Sequence, residues 1–314
     1  MLESKEKVTL DPHDTEDEDQ ISHRFKSATT IEPIFSNSEQ ERRLKSSNAN
    51  NVSCFLPNHS DENGVLVRKL PGINLPEKIL FVIDTIREKN CTPFQLTTGA
   101  KYMPLFMIKR VVESFVCIKS TLQRSHEYAV TILNSQGARW ICDFTNNTKC
   151  IINCMDMINE DILEDDQKSY DLGQMFEQIH SRLFVPPKKH GNEEMVPPFL
   201  TRVILLYSRS YSIPKFHTGK QYLESLTENP YFFIDVLYIH EPPSSENLCE
   251  EIYAELATLD TANCSYILEV GRNAAKVHDS MAKLLAHPLQ RPMQKEICHA
   301  IVPSSSSQEM CTNV

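Results

Sequence analysis

The sequence predicts a doubly wound α/β domain, in which helices cover both faces of a mostly parallel sheet. From Pro76 onward, short runs of branched apolar residues alternate with segments of helical period, as in parallel sheets whose strands are joined by helices. Two runs, 203–207 and 232–239, are apolar at nearly every position, which indicates strands that are buried on both faces. About six strands and six or seven helices in roughly 210 residues favour one such domain over two smaller ones.

The first half of the domain begins with a buried strand, Ile79–Ile83. A long helix is predicted over residues 104–123, because its apolar residues recur at spacings of three and four and form one stripe. The stripe comprises Ile108, Val111, Val112, Phe115, Ile118 and Leu122. Residues 128–133 and 139–144 then form an antiparallel hairpin around the turn-type link 134–137, so one strand runs against the others.

The second half continues the alternation of helices and strands. In chain order it comprises helices 147–159 and 169–184, a surface loop from Pro186 to Pro198, strand 203–207, helix 218–227, strand 232–239, helix 246–259, strand 266–270 and a closing helix 274–287. The residues of the closing helix predicted to face inward are Val277, Met281, Leu284 and Leu285. Pro288 ends this helix, because proline lacks the backbone N–H that a helix interior needs.

Composition divides the chain into three regions. Residues 1–74 are rich in Ser, Asn, Asp and Glu and poor in aromatic and branched residues, so they are predicted to form a disordered acidic tail. Residues 75–287 form the α/β domain. Residues 288–314 comprise a short C-terminal peptide and a serine-rich tail of low complexity, which is also predicted to be disordered.

The charge balance and the apolar runs indicate where the protein acts. A net charge of -10 and a pI near 5.6 argue against direct binding of nucleic acid or of an anionic membrane. The first residues hold no signal-peptide core, and no run approaches the roughly 18 apolar residues of a membrane span. Most of the ten cysteines lie in apolar runs, such as those around Cys117 and Cys142, and are expected to be reduced and packed in the core. We expect a cytoplasmic or nuclear protein.

Catalytic and cofactor-binding motifs are missing where a doubly wound sheet would place them, beyond the strand ends at Ile83, Tyr207 and Ile239. The chain has eight glycines and no Gly-x-Gly, so backbone amides have no glycine-rich loop with which to hold a phosphate. It also lacks Gly-x-Ser-x-Gly, His-Glu-x-x-His and the His-x-His pair of metal-dependent deubiquitinases. We expect no cofactor and no enzymatic activity. A cysteine-dependent hydrolase stays an alternative, which requires a reactive thiolate.

Asp84 ends the first buried strand, where a von Willebrand A domain begins its metal-binding motif Asp-x-Ser-x-Ser. That motif binds Mg²⁺ through oxygen ligands, which a hard cation prefers. Here Ile86 and Glu88 occupy the two hydroxyl positions, and Ile86 offers no oxygen. We interpret the motif as degenerate and Asp84 as a capping or strand-end residue, so no metal is expected. The pair Cys150 and Cys154 has no second pair at zinc-site spacing and is also not expected to bind metal.

Four blocks of sequence carry a resemblance to a known family. They are Met281-Ala-Lys-Leu-Leu-Ala-His-Pro-Leu-Gln-Arg-Pro292, Pro230-Tyr-Phe-Phe with Asp235, Val236, Tyr238, Ile239 and His240, Arg202-Val-Ile-Leu with Tyr207-Ser-Arg209, and Ser125-His-Glu127. Over roughly residues 75–292 the chain resembles the MERIT-forty family, the von Willebrand A-like scaffold subunit of the BRISC and BRCA-one A deubiquitinase complexes. The resemblance implies a von Willebrand A-like sheet, mostly parallel with one antiparallel strand.

The same resemblance implies a non-catalytic scaffold or adaptor. In the family, a separate metalloprotease subunit cuts lysine-sixty-three-linked ubiquitin chains, with roles in ubiquitin signalling and the DNA damage response, in cytoplasm and nucleus. The alternative is a von Willebrand A-type domain that binds proteins through a metal outside any deubiquitinase complex.

The resemblance also implies a partner-binding motif, Pro-x-x-Arg, at Pro288, Leu289, Gln290 and Arg291. In the family this motif enters a groove on the ubiquitin-conjugating-enzyme-variant domain of the BRE subunit, which connects the scaffold to the metalloprotease and its Abraxas-type scaffold. Pro288 would order an extended segment, Leu289 would supply an apolar anchor, and Arg291 would offer a fork of donors to carboxylates or carbonyls.

Overall fold

The computed structural model describes residues 73–163, 168–183 and 196–294. The predicted acidic tail, most of the Pro186–Pro198 loop and the serine-rich tail lie outside these residues. No helix within the described ranges is both long and apolar enough to cross a membrane.

The described part of the chain contains twelve strands and six helices. The strands are β1 (Glu77–Asp84), β2 (Ile86–Arg87), β3 (Phe94–Gln95), β4 (Lys101–Tyr102), β5 (Glu127–Asn134), β6 (Gly137–Thr145), β7 (Asp161–Ile162), β8 (Ser169–Asp171), β9 (Leu200–Tyr207), β10 (Ile213–Lys215), β11 (Phe232–Ile239) and β12 (Ile267–Val270). The helices are α1 (Pro104–Leu122), α2 (Thr148–Asp156), α3 (Gly173–Arg182), α4 (Lys220–Thr227), α5 (Cys249–Ala257) and α6 (Ala274–Lys283).

The long strands form a six-stranded sheet in the order β12-β11-β9-β1-β5-β6. All neighbours are parallel except β5 and β6, which pair as an antiparallel hairpin. The chain starts in the middle with β1, moves outward through β5 and β6, and returns to β9 on the other side. This is the doubly wound order, and it confirms the predicted fold class. The order reverses between β1 and β9, so their carboxyl ends form the crevice in which such folds bind ligands.

Two apolar layers cover the two faces of the sheet. Side chains alternate along β1, so Ile79, Phe81 and Ile83 belong to one layer, and Leu80 and Val82 to the other. The first layer includes residues of α1, α2 and α6, and the second includes residues of α3, α4 and α5. All five of these β1 side chains are fully buried, which places the core on both sides of the parallel strands.

The inward stripe predicted for α1 is wrong at its C-terminal end. Ile118 and Leu122 are 47% and 65% exposed, whereas Lys119 between them is 2% exposed. The last turn of α1 is oriented by an ion pair between Lys119 and the buried Glu77, so the charged side chain takes the inward position. The prediction of core-packed thiols is also wrong for Cys117, which is exposed.

Most predicted helices are a few residues longer than the observed ones, and the largest differences lie at the start of α3 and at the end of α6. Residues 169–171 form β8, because they pair with β10 before α3 begins at Gly173. The closing helix α6 ends at Lys283, well before Pro288. The carbonyl groups of the residues that follow bind side chains of the sheet and of α1 instead of continuing the helix.

Candidate functional site

The crevice at the carboxyl end of the sheet is filled by an arginine. Arg209 lies two residues after the end of β9. Its Nε lies 3.1 Å from each carboxylate oxygen of Asp84, while its Nη2 lies 2.9 Å from Oδ1. The backbone N–H of Ser208 donates to Asp84 Oδ2 at 3.2 Å, and that of Ile86 to Oδ1 at 3.3 Å. Both oxygens of Asp84 are therefore bound by donors of the chain itself.

Arg209 is held in this position by burial and by stacking. Its side chain and that of Asp84 have no exposed surface, and its guanidinium lies 3.7 Å from the centroid of the Tyr170 ring. Burial favours the neutral form of Arg209, but the carboxylate of Asp84 outweighs it and raises the pKa of the guanidinium. The pair is a fixed, desolvated ion pair with a stacked aromatic cover.

These residues do not fit a divalent metal ion. Asp84 has no free oxygen, Ile86 has none to offer, and the carboxylate of Glu88 accepts the backbone N–H groups of Ser210 and Tyr211 at 2.6 and 3.0 Å. A bound cation would also be repelled by the positive charge of the Arg209 guanidinium. Within residues 73–163, 168–183 and 196–294, no three His, Cys, Asp or Glu side chains are grouped so that they could hold a metal ion.

Glu241, which lies just after β11, is also paired with an arginine. Glu241 accepts hydrogen bonds from the backbone N–H of Thr92 at 2.7 Å and from Arg272 Nε and Nη2 at 3.0 and 2.7 Å. The thiol of Cys91 lies 3.5 Å from Arg272 Nη2. Burial nevertheless raises the pKa of this thiol to about 11. Cys91 is therefore protonated at neutral pH and is a poor nucleophile.

The predicted motif residues Pro288 to Arg291 lie at the opposite, amino end of the sheet, in a turn. The backbone N–H groups of Gln290 and Arg291 donate to the carbonyl of His287 at 2.9 and 3.0 Å, and that of Leu289 to His287 Nδ1 at 3.2 Å. Pro288 is buried, Leu289 is half-buried and Gln290 is exposed. The motif is a folded turn packed on the domain instead of an extended segment.

Arg291 is bound within the chain. Its Nη1 donates to Asp235 Oδ2 at 2.9 Å, and its Nη2 donates to Asp235 Oδ1 and, at 2.8 Å, to the carbonyl of Cys264. The guanidinium stacks on the Tyr266 ring at 3.9 Å, and only 1% of the side chain is exposed. The donors that sequence analysis assigned to a partner are bound within the chain, because buried Asp235 in β11 needs a counter-charge.

Asp235 belongs to a buried network of ion pairs that also contains Glu77 and Lys119. Arg202 of β9, which has no exposed surface, links the two carboxylates: its Nε lies 2.7 Å from Asp235 Oδ2 and its Nη1 lies 3.1 Å from Glu77 Oε2. Burial alone would raise the pKa of both carboxyls, but Arg291 and Arg202 lower that of Asp235, and Arg202 and Lys119 lower that of Glu77. Both carboxylates remain charged.

The network binds the segment that follows α6. Lys119 Nζ donates to the carbonyl of Leu285 at 2.9 Å, and Arg202 Nη1 lies 3.4 Å from that of Ala286. Nε2 of His287 lies 3.0 Å from the carbonyl of Leu75. This cluster was not predicted from the sequence. Its signal was the single charge within each apolar run of β9 and β11.

The chain is similar in sequence to several known proteins over most of its described length. The chain is 31% identical over 237 residues to "BRISC and BRCA1-A complex member 1" of Xenopus laevis, covering 74% of this chain and 70% of that protein. The human protein of the same name is 29% identical over 270 residues, with 84% and 79% covered. That of Danio rerio is 27% identical over 259 residues, with 81% and 68% covered. No family model matches the chain.

Solved structures with a similar fold include von Willebrand A domains. The "SpRpn10 VWA domain" superimposes with a TM-score of 0.42 and 12% identity, covering 70% of this chain and 99% of that one. A "von Willebrand factor type A from Catenulispora acidiphila" gives 0.40 and 13%, covering 68% and 43%. The strand order of the six-stranded sheet establishes the fold class.

The pair of Asp84 and Arg209 is expected to stabilise the fold. Arg209→Met leaves a buried carboxylate without its counter-charge, so the free energy of unfolding should fall by about 3–5 kcal/mol in urea titrations. The matched control is Arg110→Met, because Arg110 pairs with Glu113 on the surface with 54% of its side chain exposed. This control should change stability by less than about 0.5 kcal/mol. Equal effects of the two substitutions would contradict the assignment.

Glu88 should make stability depend on pH. Burial raises the pKa of Glu88 from 4.5 to about 7, despite the opposing backbone hydrogen bonds from Ser210 and Tyr211. The unfolded chain then loses this proton first, so stability that is present below pH 4.5 is lost as the pH rises through about 7. Urea unfolding at about pH 5 and about pH 8 should show a larger loss for wild type than for Glu88→Gln. Identical losses would show that Glu88 has an ordinary pKa in the folded chain.

Proposed function

The chain belongs to the family of proteins named BRISC and BRCA1-A complex member 1, and on this premise we propose that it is a non-catalytic scaffold subunit of a deubiquitinase complex. The single observation that carries the proposal is the 31% identity to the Xenopus laevis protein over 74% of this chain. That relative is named as a member of a complex, so we infer that this chain also assembles with other subunits.

The strand-end crevice supports a role without catalysis. Asp84 is paired with Arg209, Glu241 is paired with Arg272, and burial keeps the Cys91 thiol protonated. A hydrolase needs an activated nucleophile or a free general base at such a site. The residues at this edge of the sheet instead bind one another.

The proposed partner is the BRE subunit, bound through its ubiquitin-conjugating-enzyme-variant domain by residues 288–291. Through BRE the chain joins a metalloprotease subunit specific for lysine-sixty-three-linked ubiquitin and an Abraxas-type scaffold, and it functions in the cytoplasm and the nucleus. The motif forms a turn with the exposed side chain of Gln290, which supports its role as a contact. The net charge of -10 fits protein partners better than nucleic acid.

Calorimetric titration of purified BRE subunit with the full chain tests this proposal. We expect saturable binding of the chain to BRE, because a scaffold subunit requires a stable interface, and no cleavage of lysine-sixty-three-linked ubiquitin by the chain alone. Addition of the chain to BRE and the metalloprotease subunit should raise the thermal midpoint of the assembly, since a ligand that binds only the folded state stabilises it. Absence of heat with BRE, or cleavage by the isolated chain, would contradict it.

A further inference from the structure

The turn at 288–291 exposes a different set of side chains from the one its sequence suggests. Pro288 is buried and 1% of the Arg291 side chain is exposed, although these are the two defining residues of the motif. Gln290 and Ala286 are exposed, and Leu289 is half-buried against the cluster of Leu75, Leu200 and Phe233. The defining residues face the domain, and the intervening residues face solvent.

We propose that Arg291 is a positioning residue that Asp235 holds in place. It fixes the folded turn, and a partner contacts this turn through Gln290 and the exposed part of Leu289. This inference rests on the proposed function, since it concerns the same motif and the same partner. It reverses the roles that the sequence assigned within the motif. The residue that looks like the main contact fixes the turn, and a residue that the motif leaves variable makes the contact.

The contacts of Asp235 indicate that Arg291 is needed inside the domain. Both of its oxygens are bound by Arg291, and its other donors are Arg202 Nε at 2.7 Å and the backbone N–H of Tyr266 at 2.7 Å. If Arg291 turned outward to a partner, it would leave a fully buried carboxylate with one counter-charge fewer. Such a loss is strongly unfavourable in an interior that water does not reach.

Hydrogen bonds to the domain hold the segment on both sides of Gln290. Before it, Lys119 binds the carbonyl of Leu285. After it, the Tyr266 hydroxyl donates to the carbonyl of Pro292 at 2.8 Å, and the Gln294 side chain exchanges two hydrogen bonds with the backbone of Ile267, at 2.6 and 2.9 Å. The segment therefore caps the free edge of β12 and is fastened at both ends, so it is presented as a rigid surface.

The exposed chemistry defines the partner surface. Gln290 offers an amide donor and an amide acceptor, and exposed Ala286 and Pro292 lie near it in the chain. Such a surface fits neutral polar groups, such as backbone N–H and carbonyl groups, beside a shallow apolar area. It does not need the acidic groove that a free arginine would require.

The substitution Asp235→Asn separates the two roles of Arg291, because it removes the anchor without changing the motif. Affinity for purified BRE subunit is measured by titration at a temperature well below the unfolding midpoint of each variant. A positioning role predicts that Asp235→Asn and Arg291→Ala each weaken binding, on the order of tenfold, and that the double variant is no worse than either. If Arg291 contacts BRE directly, Asp235→Asn frees its guanidinium and leaves the affinity equal or higher.

Asp84→Asn is the matched control. It makes the same chemical change in a buried carboxylate that pairs with an arginine, but at the opposite end of the sheet. It should lower the unfolding midpoint and leave the affinity for BRE unchanged. An equal loss of affinity in Asp84→Asn would mean that general destabilisation, not the turn, causes the effect, and it would overturn the inference.

Two further measurements keep the test decisive if Asp235→Asn fails to fold. Gln290→Ala should weaken binding and leave the unfolding midpoint unchanged, because Gln290 is exposed. A synthetic peptide of residues 284–294 should not compete with the full chain for BRE, because it lacks Asp235. Competition by the peptide, or full affinity of Gln290→Ala, would overturn the inference alone. If wild type does not bind BRE at all, the proposed function fails, and the inference fails with it.

Discussion

A carboxylate buried in the middle of a parallel sheet requires cations beside it, and Asp235 is such a group. Arg202 on the neighbouring strand β9 supplies one cation, and Arg291 supplies another from a segment that follows the last helix. Removal of one partner from a buried ion pair is strongly destabilising, because it leaves a buried charge without its counter-charge. The sheet and the C-terminal segment are therefore coupled, and residues 285–294 belong to the folded domain in the same sense as β12, whose edge they cover.

At both ends of the sheet, arginine side chains neutralise a buried carboxylate. At the carboxyl end, the fork of Arg209 satisfies the two oxygens of Asp84, where a von Willebrand A domain would hold a metal ion. A metal ion can dissociate, whereas an arginine side chain cannot. The conformation of this edge is consequently independent of the cation concentration, which suits the proposed scaffold role.

Much of the fold could be predicted from local patterns. The run 232–239 matches β11 residue for residue, and the long helix was predicted within one residue of α1. The pattern of apolar residues determines which face of a strand or helix is buried, and that information is local. The outward position of Ile118 and the early end of α6 were missed, because both depend on Lys119 and its distant partners.

The candidate sites were predicted only in part, for the same reason. Asp84 was found from its position after an apolar run, but its partner Arg209 lies 125 positions away along the chain and leaves no local signal. Single charges within the runs of β9 and β11 indicate that Arg202 and Asp235 are buried and paired. They do not reveal that Arg291, near the end of the described chain, completes the network.

Native-state hydrogen exchange of the free chain measures most directly whether the C-terminal segment belongs to the domain. The amide of Arg291 donates to the carbonyl of His287, and that of Ile267 to the side chain of Gln294. Both should exchange with the same opening free energy as the amide of Phe81 in the central strand, through global unfolding. Exchange of Arg291 and Ile267 that is orders of magnitude faster would show that the segment detaches from Asp235 while the sheet stays folded, which contradicts a fixed turn.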